Sequence, residues 1–183
     1  MPEPSYETLR FERRGPVGWL RLHRPEKLNA FTVSMWRELG DLGRRVGADA
    51  TLRVVVVVGD GRAFSSGIDT SVFTEGTGQS VLEVGEGGHP DPTVAGILAV
   101  QDTFTWLAEA PYPTIAAIRG YALGAGLQLA LACDLRVVAH GAQLGLLEHR
   151  YGILPDLGGT QRLPRIVGPS KALQLIVTAA RID

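Results

Sequence analysis

The sequence predicts an α/β domain with parallel strands, and three observations carry that prediction. A run of β-branched residues is long enough for one buried strand, helical spacing flanks it on both sides, and a second strand-turn-helix-strand succession follows further along. Such alternation calls for right-handed crossovers, and there is no repeat of the kind, about 20 to 50 residues long, that would mark a stacked array. A single domain over residues 1–183 is therefore expected, without an internal linker.

The elements follow in order. Residues 6–11 and 16–22 read as short strands around the Gly15-Pro16 turn, a hairpin. Beyond the loop RPEKLNA at 24–30, residues from Thr32 to about Gly47 place Val33, Trp36, Leu39, Leu42 and Val46 at helical spacing, with Thr32 as N-cap. Within LRVVVVVG at 52–59 the five valines are continuously β-branched, and the stretch is bounded by Gly-Asp-Gly, as a strand covered by helices on both faces should be. Residues 74–92 are rich in Gly, Glu, Ser and His and lack periodicity, which predicts a loop beside the site, placed to act as a lid. Helical spacing returns from Thr93 to Glu109 and is ended by the prolines of APYP. PTIAAIRG at 113–120 is a strand, YALGAGLQLALAC at 121–133 a tight turn into an apolar helix, and DLRVVA at 134–139 a strand again. Helical stretches at about 158–167 and 170–180 close the chain, which stops at Ala-Arg-Ile-Asp without a capping signal.

Composition narrows the function. Apolar residues make up 45% of the chain and charged ones 20%, enough for a substantial core in a soluble protein. The net charge of −1, with no basic block longer than two residues, gives neither nucleic acid nor an anionic membrane an electrostatic footprint. Cys133 is the only cysteine, so an internal disulfide and a cysteine-rich zinc site are both excluded, and a cytoplasmic location fits. The polar start and the brevity of the valine run predict neither export nor membrane insertion. His23, His89, His140 and His149 have no helical partner spacing, and no metal is expected.

The 23 glycines mark where chemistry can sit. GRAFSSGID at 61–69 follows the valine strand and GYALGAG at 120–126 follows PTIAAI. A glycine-rich turn into a helix leaves N–H donors unpaired at the positive end of the dipole, which suits an anion or a developing oxyanion; an ordinary structural turn is the plainer alternative. Other glycine motifs fail: no Gly-Lys dipeptide means no P-loop, Leu129 breaks the dinucleotide fingerprint, and Ala63 breaks the nucleophile elbow around Ser65. Among the carboxylates, Glu148 follows the apolar run LGLL and Asp156 sits between Pro155 and Leu-Gly-Gly, positions where the chain would desolvate them; for a lone carboxylate a surface or capping role is the favoured alternative.

Together RPEKLNAF, GRAFSSGID, PTIAAIRGYALGAGLQLALACDLRVVA and LPDLGGTQRLPRIVG resemble, in order and spacing, the crotonase family of enoyl-CoA hydratases and isomerases. The resemblance covers nearly the whole chain. It implies a crotonase-like spiral of repeated β-β-α units and an oxyanion hole made of the backbone N–H groups of Ile68 and Ala125. It also implies an acyl-CoA substrate, with coenzyme A belonging to that substrate and no separate cofactor. Coenzyme A would be held by the loop from Arg24 to Ala30, with Lys27 and Leu28 between them, and by the backbone around Ser66, Asp69 and Thr70. Many relatives carry Lys two residues after this Asp; the chain has Ser71, a departure at one phosphate contact.

Hydratases of the family use two glutamates. By position the first falls at Gln128 and the second at Glu148, while Asp156 matches the aspartate of dienoyl-CoA isomerases. An amide cannot shuttle a proton as a carboxylate does. The resemblance with this departure therefore implies double-bond isomerisation slightly ahead of hydration, with Glu148 as base, Asp156 assisting and Gln128 orienting water or substrate. Relatives continue into C-terminal helices, so the fold is expected with that helical region truncated or missing, and as a homotrimer or hexamer only where those helices are present. A non-catalytic acyl-CoA binder, and a thioesterase or decarboxylase using the same oxyanion hole, remain as other readings.

Overall fold

The computed structural model describes residues 5–73 and 88–183. β1 (Leu9–Arg14) and β2 (Val17–Leu22) form the hairpin, and α1 (Val33–Val46) begins where the Thr32 hydroxyl accepts from the Met35 N–H at 3.2 Å. β3 (Val54–Gly59) follows. The Asp91 carboxylate then accepts from the N–H groups of Thr93 and Val94 to cap α2 (Pro92–Glu109). β4 (Thr114–Ile118), β5 (Tyr121–Leu123), α3 (Ala125–Ala132), β6 (Leu135–Val138), β7 (Gln143–Gly145), α4 (Gly159–Val167) and α5 (Pro169–Thr178) complete the order. The loop expected over 74–92 lies, for residues 74–87, outside the described residues; the remainder leads into the Asp91 cap.

The main sheet runs β1-β2-β3-β4-β6, antiparallel in the hairpin and parallel thereafter, and β5 pairs in parallel with β7 in a second, small sheet. β3 departs from the expectation of helices on both sides. Val55 and Val57 are fully buried with Leu20, Leu22, Ala116 and Ile118 against the aromatic and leucine side chains of α1 and α2, whereas Val54, Val56 and Val58 are half-buried. In register with Val56 and Val58 stand Trp19 and Arg21, and the Arg21 guanidinium lies 5.8 Å from the Trp19 ring. That face is covered by long side chains instead of a helix. β5 and β7, three residues each, are too short to leave a periodic signature; the sequence reading took β5 into the turn before α3 and assigned no element to β7.

The core centres on Phe31, which stacks on Trp36 at 5.7 Å between ring centroids and meets Phe104 edge-on at 5.4 Å. Phe31 also closes the loop after β2 and pairs with Ile68, so this aromatic cluster lies against the segment that carries the first glycine turn.

Candidate active site

Both glycine turns leave the carboxyl ends of parallel strands, the first after β3 and the second after β4. They are stitched together: Ser65 N–H donates to the Tyr121 carbonyl at 2.8 Å, and Leu123 N–H donates back to the Ser65 carbonyl at 3.0 Å. Helix α3 starts at Ala125, and Gly126 in its first turn approaches the first segment so closely that a Cβ there would stand 2.7 Å from Ser65 Cβ. Gly124, just before the helix, has φ 52° and ψ −123°, a conformation closed to side-chain-bearing residues.

Side chains lock the first turn from the other side. Asn29 is fully buried with φ 55°, and its amide donates to the carbonyls of Asp60 and Ala63, both at 2.9 Å, while its oxygen accepts from the Arg24 N–H at 2.8 Å. The Ser65 hydroxyl donates to the Asn29 carbonyl, and Phe31 N–H and Asp69 N–H exchange bonds with Gly67 and Phe31 in strand fashion. These bonds leave the Ile68 and Ala125 N–H groups without a protein acceptor among the described residues, the first because its neighbours take the pairing positions and the second because it opens a helix.

Ile68 and Ala125 line a cleft of about 100 Å³ together with Ser66, Gly67, Thr70, Gly124, Leu147, Glu148, Tyr151 and Ile153. Glu148 opens the short 3₁₀ turn Glu148–Tyr151 and is 6% exposed. Its Oε1 accepts from Gln128 Nε2 at 2.7 Å, while Oε2 has no partner among the described residues. Burial raises the Glu148 acid range; the hydrogen bond from Gln128 opposes the rise and the Asp156 charge adds to it.

The other predicted residues fall into three groups. Gln128, on α3, is 1% exposed and stands behind Glu148, outside the wall of the cleft; its Oε1 accepts from the Gly159 N–H at 3.0 Å. Asp156 lines a neighbouring hollow of about 300 Å³ with Gln101, Leu154 and Arg162, away from the Ile68 and Ala125 amides. Its carboxyl is exposed, yet the surrounding chain still raises its acid range. Arg24 reaches across to Asp69, both of its terminal nitrogens 3.1 Å from Oδ2, and donates to the Ala30 carbonyl at 2.6 Å. Burial raises Asp69, but hydrogen bonds from Ser71 and Arg24 outweigh it and hold the carboxyl below its ordinary range. Leu28, in the left-handed region, accepts from Ser66 N–H through its carbonyl, so the 24–30 loop and the 66–70 segment form one continuous rim, with Lys27 exposed on it.

Sequence reasoning missed Asn29, Ser65, Leu147, Tyr151 and Ile153. The left-handed backbone at Asn29 is a known use of asparagine, and that was the one available signal. Among the described residues no group of three or more His, Cys, Asp or Glu could hold a metal ion, and no helix is long and apolar enough to cross a membrane.

The family model described as enoyl-CoA hydratase/isomerase matches residues 12–183. A crotonyl-CoA hydratase of Syntrophomonas wolfei is 34% identical over 180 residues, which are 98% of this chain and 65% of that protein. A carnitinyl-CoA dehydratase of Citrobacter koseri is 36% identical over 178 residues, 97% of this chain and 63% of that protein. A crystal structure of a Thermobifida fusca YX protein in complex with acetoacetyl-CoA superposes with a TM-score of 0.85 at 38% identity, covering 96% of this chain and 68% of that one. The fold is accordingly α/β and crotonase-like, and the chain spans 64% of the length of the first curated relatives it matches.

Proposed function

The chain belongs to the enoyl-CoA hydratase/isomerase family, and from that premise we propose that it binds acyl-CoA thioesters and shifts the double bond of an enoyl-CoA through an enolate. The observation that carries this reading is the cleft itself, where two main-chain amides and one oxygen of a buried carboxylate share a wall, all without a hydrogen-bond partner among the described residues. The thioester oxygen sits between the N–H groups of Ile68 and Ala125. Charge gathers on that oxygen only as the reaction proceeds, so fixed donors there favour the transition state over the ground state.

Glu148 removes the proton from the carbon beside the thioester, the electron pair moves into the enolate, and the carboxylic acid so formed returns the proton at the far end of the shifted double bond. Water is neither consumed nor released. A raised acid range suits a group that must both take and give a proton near neutrality. Asp156 assists through its charge, which makes Glu148 a stronger base. The rim of residues 24–30 and 66–70 receives coenzyme A, with the Arg24–Asp69 pair stiffening it and Lys27 offering a cation. Hydration is the second reading, favoured by relatives that carry hydratase and dehydratase names.

The test is incubation with crotonyl-CoA, a 3-enoyl-CoA and a 3,5-dienoyl-CoA, following absorbance and products. Conversion of the 3-enoyl substrate to the conjugated 2-enoyl product is expected. Glu148→Gln should lower that rate by about 10²- to 10⁴-fold, the worth of a positioned acid-base group; unchanged turnover in the variant would remove Glu148 from the mechanism.

A further inference from the structure

We infer that Gln128 is the positioning residue of this site: its amide ties Glu148 to the start of α4 and, committed at both ends, leaves a single working carboxylate, which selects proton transfer between carbons over addition of water. The inference rests on the reading of Glu148 as the base.

Gln128 lies three residues after Ala125 on α3, so the helix that presents one main-chain donor also carries the amide that holds the carboxylate. The nitrogen end donates to Glu148 Oε1 at 2.7 Å and the oxygen end accepts from Gly159 N–H at 3.0 Å. The fit is close: a Cβ at position 159 would stand 2.9 Å from Gln128 Oε1 and 3.2 Å from its Cδ, so α4 opens with a residue that lets the amide in. The fixed acceptor bond from Gly159 in turn fixes which end of the amide points at Glu148. Glu148 Oε1 is thereby occupied, and Oε2 is the oxygen left for a substrate carbon.

Syn addition of water needs one carboxylate to take a proton from the water and another acid to deliver one to carbon. Gln128 can do neither, and its inward commitments place it outside the cleft wall, where it cannot hold the water either. Proton transfer from one carbon to another needs one carboxylate only, and its atoms balance without a co-reactant.

The decisive measurement is the titration of Glu148 in the 183-residue protein carrying ¹³C at its glutamate carboxyls, with the Glu148 signal assigned by its loss in Glu148→Gln. In Gln128→Met, similar in shape but without either hydrogen bond, the Glu148 midpoint should rise. The acidic limb of kcat/KM for the 3-enoyl-CoA should move with it, and kcat should fall about tenfold or more at little changed KM. In Gln128→Glu, which keeps an oxygen for Gly159 N–H, the midpoint should rise further and hydration of crotonyl-CoA should increase at least about tenfold. A Glu148 midpoint unmoved in Gln128→Met overturns the positioning role; should that variant not fold, an unmoved midpoint in Gln128→Glu does so. No gain of hydration in Gln128→Glu overturns the selection. Wild-type protein that turns over none of these thioesters while the midpoint still shifts sinks the assignment of Glu148 as base, and the selection with it, and leaves the clamp standing.

Discussion

The two glycine turns end in the same way, each with a main-chain N–H at the cleft that is unpaired among the described residues, but they are built by different means. The first, residues 61–69, belongs to no helix and is held by side chains: Asn29 from below, Ser65 within, and Arg24 across to Asp69. The second, residues 120–126, is held almost wholly by backbone. Gly124 N–H donates to the Gly145 carbonyl, Gly124 takes a conformation that only glycine adopts readily, and α3 begins at once. One donor is therefore positioned by polar side chains drawn from distant parts of the chain, the other by helix geometry. The difference predicts that the turns fail separately and for different reasons.

The largest effect on turnover should come from the place where they touch. Gly126→Ala drives a methyl group into Ser65, and neither the Ser65 backbone nor the helix can yield cheaply. The overpacking should cost about 2 kcal/mol, lowering the melting temperature by several degrees, and because both donors are displaced kcat should fall by at least about 10³-fold. A variant that keeps wild-type turnover would show that the spacing of the turns is unimportant.

Asn29→Ala should break the first turn and spare the second. Three hydrogen bonds at roughly 1 kcal/mol each are lost and alanine is left in a left-handed conformation that costs about 1 to 2 kcal/mol, for a total of about 4 to 5 kcal/mol. Urea titration measures this loss, and protection of the α3 amides in hydrogen exchange should survive in conditions where the 61–69 segment exchanges freely.

The smallest effect sharpens the comparison at the rim. Asp69→Asn removes a pair with little exposed area and should cost about 1 kcal/mol or less near neutrality. Because the folded-state acid range of Asp69 is lowered, its contribution is present above the ordinary carboxylate range and disappears as the pH falls through the lowered one. The melting temperatures of wild type and variant should therefore converge in acid, and a gap that persists there would assign the effect to something other than charge.

What could be read from the sequence follows the same division. Thr32 before α1, the prolines after α2 and the Gly-rich entry to α3 are local signals, and the helices lie where those signals put them. The order of motifs also pointed to Glu148, although no local pattern records that Gln128 and the segment carrying Ile68 are brought around it. The bracing role of Asn29 left no trace beyond its residue type, because the carbonyls to which it donates lie 31 and 34 residues away, a relation that no local pattern records. The half-covered face of β3 escaped for the same reason, since five valines in a row look alike until Trp19 and Arg21 are brought beside alternate ones. Asp156 was expected to assist Glu148; that it lines the adjoining hollow, with its carbonyl accepting from Gln101, is a long-range relation that the sequence did not display.

The burial of Glu148, with no partner for Oε2 among the described residues, has a consequence for the molecule as a whole. A carboxyl whose acid range rises on folding binds its proton more tightly in the native chain than in the unfolded one, so native stability declines as the pH climbs from the ordinary carboxylate range through the raised one. The pH that arms the base is the pH that loosens its housing. Reactivity and durability thus pull against each other at one atom, and a mutational search for heat resistance alone would drift toward a neutral residue at position 148 and an inert protein.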